Sequence, residues 1–328
     1  MIKKILFGLL GFLIILILGF VLFVYSTYDK NYNKEYPVSD IKVEADSALI
    51  ARGRYLALGP AHCTDCHSPI KDTDISDIAN DPPLTGGFGL EIPPGVFYAP
   101  NITPDKETGI GRYSDGELYR MLRHNIHPNG RVAIDFMPFI NMADQDIRAV
   151  IAYLRSRQPV KHLMPESKLT FLGKMVFALG GVKPGVPDEP VLKSIDPDTT
   201  VEYGRYLAYA VANCRGCHTE RDMKSGKFIG ESYAGGMVFG PDALTKGWVY
   251  VTPNLTPDKQ TGYITDWDEE SFVTRMKAGR VYDTSPMPWE AFQHMSDNDL
   301  KAIYHFLRSV KPVTRTIVEI AKAPDENS

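Results

Sequence analysis

The chain is 328 residues long, 44% hydrophobic, 23% charged and 11% aromatic, fractions of a folded globular protein that exclude disorder, collagen and coiled coil as overall descriptions. Lys and Arg number 36 against 40 for Asp and Glu, a net charge of −4, which argues against a nucleic-acid binder with its basic stripe or tail. The length allows about two domains, each large enough to bury its own core.

At the N-terminus, Ile5 to Val24 form an uninterrupted run of apolar residues and glycines; about 20 residues of helix cover the ~30 Å hydrocarbon core of a bilayer. Lys3 and Lys4 precede the run and no acid appears before Asp29, so the N-terminus is expected in the cytoplasm and the rest of the chain outside it. Without those two lysines, 34 basic residues face 40 acidic ones, a net of −6. The alternative is a cleaved signal peptide, whose apolar region is normally ~7–15 residues and ends in a small-x-small site. Here the run is longer, and Val24-Tyr25-Ser26 is a poor site. The sequence therefore favours a retained anchor over 1–25, followed by a polar tether over 26–43.

The remainder repeats itself after a shift of about 150 residues. Gly53-Arg54-Tyr55-Leu56-Ala57 recurs as Gly204-Arg205-Tyr206-Leu207-Ala208. Cys63-Thr64-Asp65-Cys66-His67 recurs as Cys214-Arg215-Gly216-Cys217-His218. The run from Pro100 to Gly109 recurs from Pro253 to Gly262 with eight of ten positions identical, and Asp146 to Ser156 recurs as Asp299 to Ser309. Two copies at this period are two homologous domains, 44–160 and 199–314, joined by a linker over 161–198 and followed by a C-terminal tail over 315–328.

Within the copies, apolar spacing predicts helices over Ser47 to Leu58, Val201 to Val211, Asp144 to Ser156 and Asp297 to Val310, with Ser296 capping the last. Loops rich in Pro and Gly lie between them, and no β-branched alternating run of useful length appears. The expected fold class is mainly α. A few helices wrapped by long loops make a poor core for about 110 residues, so something besides side chains is expected to fill it. In the linker, the largely apolar stretch Leu169 to Gly181 has 13 residues, too few to span a bilayer. It is expected to lie across one or both domains, with an in-plane membrane contact as the alternative.

The chain has four Cys, all in Cys-x-x-Cys-His motifs, the attachment site of a c-type haem. Two thiols at this spacing form thioethers with two vinyl groups of one porphyrin, and the adjacent His reaches the iron from the same side. A porphyrin also supplies the missing apolar core. A disulfide framework would be denser in Cys. Paired Cys-x-x-Cys zinc sites stand closer together than ~150 residues, and a thioredoxin-like pair needs a βαβ setting. Two covalently bound haem c groups are expected, held by Cys63, Cys66, Cys214 and Cys217, with His67 and His218 as iron ligands.

The sixth ligand separates carriers from catalysts, because an occupied position leaves no room for substrate. Met137 stands 70 residues after His67 and Met287 stands 69 after His218. Both are followed by Pro and precede the last helix of their copy. Met142 and Met295 are also in register but lack the proline and suit core packing better. His124 is matched by Lys277, and His127 has no counterpart, which counts against a ligand role in symmetric domains. His62, matched by Asn213, is read as a spectator. Met137 and Met287 are the expected sixth ligands.

With these motifs, the stretch Asn101-Ile102-Thr103-Pro104-Asp105, Thr108-Gly109-Ile110-Gly111, Tyr113-Ser114, Leu122-Arg123-His124, Gly130-Arg131 and Met137-Pro138 resembles the cytochrome c subunits of bacterial membrane-bound alcohol and gluconate dehydrogenases. The resemblance covers about 47–314. It implies two tandem class I-like cytochrome c domains after one transmembrane helix, with Cys63, Cys66, Cys214 and Cys217 as attachments and His67, Met137, His218 and Met287 as axial ligands. It also implies electron transfer from a dehydrogenase subunit toward quinone, a quinol-oxidising complex or a terminal oxidase, and no catalytic residue of the chain's own. Those subunits typically carry three haem domains, so a standalone anchored dihaem carrier is an equal expectation here. The competing class is a dihaem redox enzyme, of peroxidase or thiosulfate-oxidising type, with one sixth position able to open. No further Cys is left to serve such an enzyme. A haem-based sensor is the weakest option, since no output domain follows 314.

Overall fold

A computed structural model describes residues 2–69, 81–222, 225–242 and 244–324, so the last four residues of the expected tail lie outside the described residues. The fold is mostly helical. Helix α1 (Ile2–Thr27) carries the apolar run and is long and apolar enough to cross a membrane, by length and composition. Val24 alone among its residues is buried.

Each half is then built on one helix crossing. In the first, α2 (Ser47–Leu58) crosses the later helix α5 (Asp144–Ser156); in the second, α7 (Val201–Tyr206) crosses α11 (Asp297–Ser309). The repeated Gly-Arg-Tyr-Leu-Ala supplies the reason. A Cβ on Gly53 would lie 1.8 Å from the Ala149 carbonyl oxygen, and one on Gly204 would lie 1.8 Å from that of Ala302. Only glycine lets the backbones approach this closely. Side chains start most of these helices: Asp46, Thr200 and Ser296 accept from the amides of Leu49, Tyr203 and Asp299. Ser114 and Glu117 form a reciprocal capping box on α4 (Asp115–His124). The predicted helix over Val201 to Val211 ends its α-helical part at Tyr206 and continues to Val211 as a π-turn, a widening often found beside functional sites.

Strands were not legible and are present. A three-stranded antiparallel sheet orders β1 (Gly89–Ile92), β2 (Gly95–Tyr98) and β3 (Lys168–Leu169); a second orders β4 (Val238–Phe239), β5 (Val249–Val251) and β6 (Ala321–Lys322). Each has only two to four residues, too short for alternation to stand out. Because β3 and β6 pair with β2 and β5, the segments that follow residues 160 and 314 each add a strand to the half they follow.

The expected tether is also laid down rather than free. The Tyr32 amide donates to the Gly130 carbonyl at 2.8 Å. Arg120, buried on α4, donates to Asn33 Oδ1 at 2.7 Å and the Tyr36 carbonyl at 3.0 Å, and the Val43 amide donates to Asp115 at 2.9 Å. Polar composition alone reads as tether; backbone pairing with a buried arginine is invisible to it. The linker helix α6 (Phe171–Ala178) packs against α1. The remaining helices are single turns at the attachment motifs, α3 (Thr64–His67) and α8 (Cys214–Cys217), with α9 (Glu269–Lys277) and α10 (Trp289–Phe292) leading to α11.

Candidate haem-attachment sites

Cys63, Cys66 and His67 occupy one helical turn, as do Cys214, Cys217 and His218. Residues three apart on a helix share a face, so each pair of thiols points one way with its His beside it. The turn is entered through a left-handed residue, His62 with φ 38° or Asn213 with φ 53°, and the His amide closes onto the first Cys carbonyl at 2.9 Å and 2.8 Å. His62 and Asn213 therefore share a backbone role that comparison of their side chains did not reveal.

Each His is buried and held at one nitrogen. His67 Nδ1 lies 2.8 Å from the Pro100 carbonyl oxygen, and His218 Nδ1 lies 3.1 Å from that of Pro253. A carbonyl only accepts, so Nδ1 carries the proton and Nε2 keeps a free lone pair. Burial lowers both imidazoles below their ordinary pKa, partly offset by the carbonyl bond. Both are thus neutral near pH 7, the form that binds metal, with the other nitrogen oriented as a ligating histidine requires.

The repeated Pro-Asn-Ile/Leu-Thr-Pro-Asp run builds that carbonyl. Asn101, buried, accepts from the amide and hydroxyl of Thr103 and donates to the Val160 carbonyl at 2.8 Å; Asn254 does the same with Thr256 and the Val313 carbonyl at 2.8 Å. The loop after proline is thereby tied to the segment leaving the last helix of each half. From the other side, the Gly86 and Gly235 amides donate to the His67 and His218 carbonyls at 2.7 and 2.8 Å. Both glycines have positive φ, and a Cβ would strike the Ala99 or Thr252 carbonyl at 2.5 or 2.4 Å. In sequence the run stood out as a family signature, without its task of aiming a histidine.

Burial pushes the thiols of Cys63 and Cys214 up to about 12, and that of Cys217 upward. They are free of disulfides, and among the described residues no group of three or more His, Cys, Asp or Glu is arranged to hold a metal ion.

Met137 and Met287 are half-buried on loops that border the same core cluster as Cys63 and Cys214, whereas Met142 and Met295 are 1% and 0% exposed inside it. Each loop turns back through an amide two residues on, Phe139 or Trp289, bonded to the Met carbonyl at 2.9 or 2.8 Å. The support differs between halves. Arg280 donates to Glu290 and to the carbonyls of Ser285 and Met287, while Arg131, its counterpart, reaches Asp29 at 3.9 Å. The charges of Glu290 and Arg280 also act on Asp65 of the first motif, whose carboxyl burial and Glu290 push up to about 7 against the opposing pull of Arg280. His62 meets the Phe292 ring edge-on at 5.7 Å, so the entry to the first attachment turn packs against α10, the helix that follows the second methionine loop. His124 donates from Nδ1 to the Gly185 carbonyl at 2.8 Å, and His127 is exposed. Lys277 donates to the Met295 carbonyl at 2.6 Å.

The profile of the cytochrome c family matches residues 201–311. The chain is 30% identical over 301 residues to the gluconate 2-dehydrogenase cytochrome c subunit of Pantoea cypripedii, covering 85% of this chain and 65% of that one. It is 30% identical over 289 residues to the cytochrome c subunit of alcohol dehydrogenase (quinone) from Gluconacetobacter polyoxogenes, covering 82% and 58%. A diheme cytochrome c-type protein of Cereibacter sphaeroides is 27% identical over 268 residues, covering 76% and 82%. The match thus spans under two thirds of the two dehydrogenase subunits and most of the diheme protein.

Proposed function

We propose that this chain, which belongs to the cytochrome c family and is related to the cytochrome c subunits of membrane-bound dehydrogenases, is a dihaem electron carrier held in the membrane by α1. Haem c, when bound, supplies a one-electron iron couple. In each half two thiols would hold it as thioethers, Cys63 and Cys66 in one, Cys214 and Cys217 in the other. His67 and His218 offer Nε2 to iron, with the Pro100 and Pro253 carbonyls holding each ring. Met137 and Met287 would supply the thioether ligands, which raise the potential of a haem they bind. The two cytochrome units are 44–160 and 199–314, each completed by the strand that follows it.

One observation carries this reading: two separate turns, each with two thiols and one neutral, oriented histidine. By analogy with the relatives' names, the electron donor is a dehydrogenase subunit and the acceptor a quinone or a respiratory complex, with the exchange outside the cytoplasm. The chain itself then performs no substrate chemistry. A pyridine haemochrome assay on the pure protein should report two haems per chain, and one after Cys214→Ala with Cys217→Ala. Full-length protein that holds zinc and no haem refutes the reading.

A further inference from the structure

The exit of α1 is built into the first half. Val24, the last residue of the apolar run, is fully buried. The next residue, Tyr25, sets its ring 6.3 Å from that of Phe171 on α6 and 6.3 Å from that of Tyr28. Lys174 of α6 places its ammonium 4.4 Å above Tyr25 and 5.1 Å from Tyr28. Helix α6 is fixed from behind. Thr170 caps it and donates to the Pro93 carbonyl at 2.8 Å, and a Cβ on Gly173 would lie 2.0 Å from the Pro94 carbonyl oxygen. Helix α6 is therefore pressed onto the turn between β1 and β2, and its opposite side is open. Phe171, Leu172 and the capping Leu179 are 44%, 42% and 63% exposed, and at helical spacing they fall within one apolar arc about 100° wide.

Depth follows from α1. If Ile5 to Val24 spans the ~30 Å hydrocarbon layer, Tyr25 sits at its outer boundary, and Phe171 sits at the level of Tyr25. Tyrosine rings with a lysine reaching between them form the side-chain set that favours the headgroup layer. Lys168, Lys174 and Lys183 fall within this stretch and no Asp or Glu occurs from 167 to 187, which suits anionic lipid.

We propose that α6 lies in the outer boundary of the bilayer, with Phe171, Leu172 and Leu179 inserted into lipid; this rests on α1 being a retained anchor. Two contacts with the membrane, one spanning and one lying flat, fix the orientation of the first half. Residues 29–46, laid along α4, leave no slack for it to swing. Electron exchange with a membrane partner would then occur at one constant face.

The test uses the full haem-loaded chain in vesicles of phosphatidylcholine and phosphatidylglycerol. With the native thiols consumed as thioethers, single nitroxide labels can be set on Leu172→Cys, Leu179→Cys, Leu16→Cys in α1 and Val318→Cys, which is 94% exposed in the second half. Power-saturation resonance compares collisions with oxygen, which partitions into lipid, and with a water-soluble nickel chelate. The expected result is an oxygen-to-chelate ratio at Leu172→Cys and Leu179→Cys several-fold above that at Val318→Cys, as at Leu16→Cys. If both α6 labels match Val318→Cys while Leu16→Cys stays in lipid, α6 is free in water and the inference alone fails. Protection of both α6 labels from both reagents shows protein cover and also overturns it. Chelate access at Leu16→Cys overturns the anchor and the inference together.

Discussion

The Tyr55 hydroxyl donates to Asp299 at 2.5 Å across 244 positions of sequence, and Tyr206 donates to Asp146 at 2.6 Å. The two tyrosines occupy the same place in the repeat, as do the two aspartates, so the halves meet about a pseudo-two-fold axis. The amides of Ser296 and Ala143 donate to the same hydroxyls at 3.0 and 3.2 Å. Ala143 cannot cap α5 with its side chain; the start of that helix instead meets Tyr206 from the other half.

The symmetry breaks at the aspartates. Asp146 receives both Nε and Nη2 of Arg52 at 2.9 and 2.8 Å. Tyr203 stands at the place of Arg52 in the second half and reaches Asp299 at 3.4 Å. Asp299, 2% exposed, thus has no cation among its hydrogen-bond partners within the described residues, where its side chain is held by the two tyrosines. Tyr55→Phe should destabilise by about 2–3 kcal/mol and Tyr206→Phe by about 1–2 kcal/mol, from the cost of losing a bond to a buried charge. Urea unfolding of the detergent-solubilised protein measures both, and a larger loss for Tyr206→Phe contradicts this account.

The helix crossings leave no room at Gly53 and Gly204. Either change to Ala would drive a methyl into a backbone carbonyl rather than a flexible side chain, so α2 or α7 would have to move off its partner. Overpacking costs about 1–3 kcal/mol where neighbours yield, and here the neighbour is backbone, so the loss should reach or exceed the top of that range. Gly240→Ala, with open space around its Cβ, is the control. Comparison of haem-loaded yield and unfolding midpoint checks both, and wild-type values for Gly53→Ala refute the crossing.

How far the sequence led can be followed through these residues. The attachment turns were legible because their chemistry is local: the spacing of two Cys and one His is the geometry. The Gly-Arg-Tyr-Leu-Ala repeat was visible, but not why it repeats. Gly53 answers to Ala149 and Tyr55 to Asp299, contacts that exist only once the halves are packed. The Asn101 run showed its identity to Asn254 and hid its task, since tying Pro100 to the exit of α5 links residues 59 apart. Strands of two to four residues carry too little pattern to read, and Arg280 and Arg131, equal in sequence, part company through their surroundings.

Stability should fall in alkali. Burial holds the phenols of Tyr55, Tyr153, Tyr203 and Tyr233 above their ordinary 10, and Tyr206 well above it; Asp299 adds to the effect on Tyr55 and Asp146 to that on Tyr206. The folded pKa is raised, so this stability is fully present below the unfolded value and is lost as pH rises beyond it. Each phenol still neutral in the fold contributes a slope of up to ~1.4 kcal/mol per pH unit above about pH 10. Far-ultraviolet dichroism during urea unfolding, compared between neutral and alkaline pH, should show the decline, and Tyr55→Phe should make it shallower. An unchanged slope in that variant removes Tyr55 from the set.

The methionine loops decide between carrier and enzyme. If Met137 and Met287 fill both sixth positions, the reduced protein should bind carbon monoxide slowly or hardly at all at neutral pH, with negligible peroxidase activity. Met137→Ala should open the first site and Met287→Ala the second, each lowering the potential of that haem alone, because the thioether stabilises reduced iron. Met142→Ala and Met295→Ala remove fully packed side chains; they should cost about 2–5 kcal/mol of stability and leave ligand binding and potential unchanged. The two loops should not be equal. Arg280 ties the second to Glu290, Ser285 and its own Met287 carbonyl, whereas Arg131 is turned away toward Asp29. The small amount of carbon monoxide that does bind should therefore enter at the first site, and Arg280→Ala should raise binding at the second toward the same level. Rapid binding by one site of the unmodified protein favours the redox enzyme. Unchanged spectra in both Met-to-Ala variants mean that other side chains hold the sixth positions.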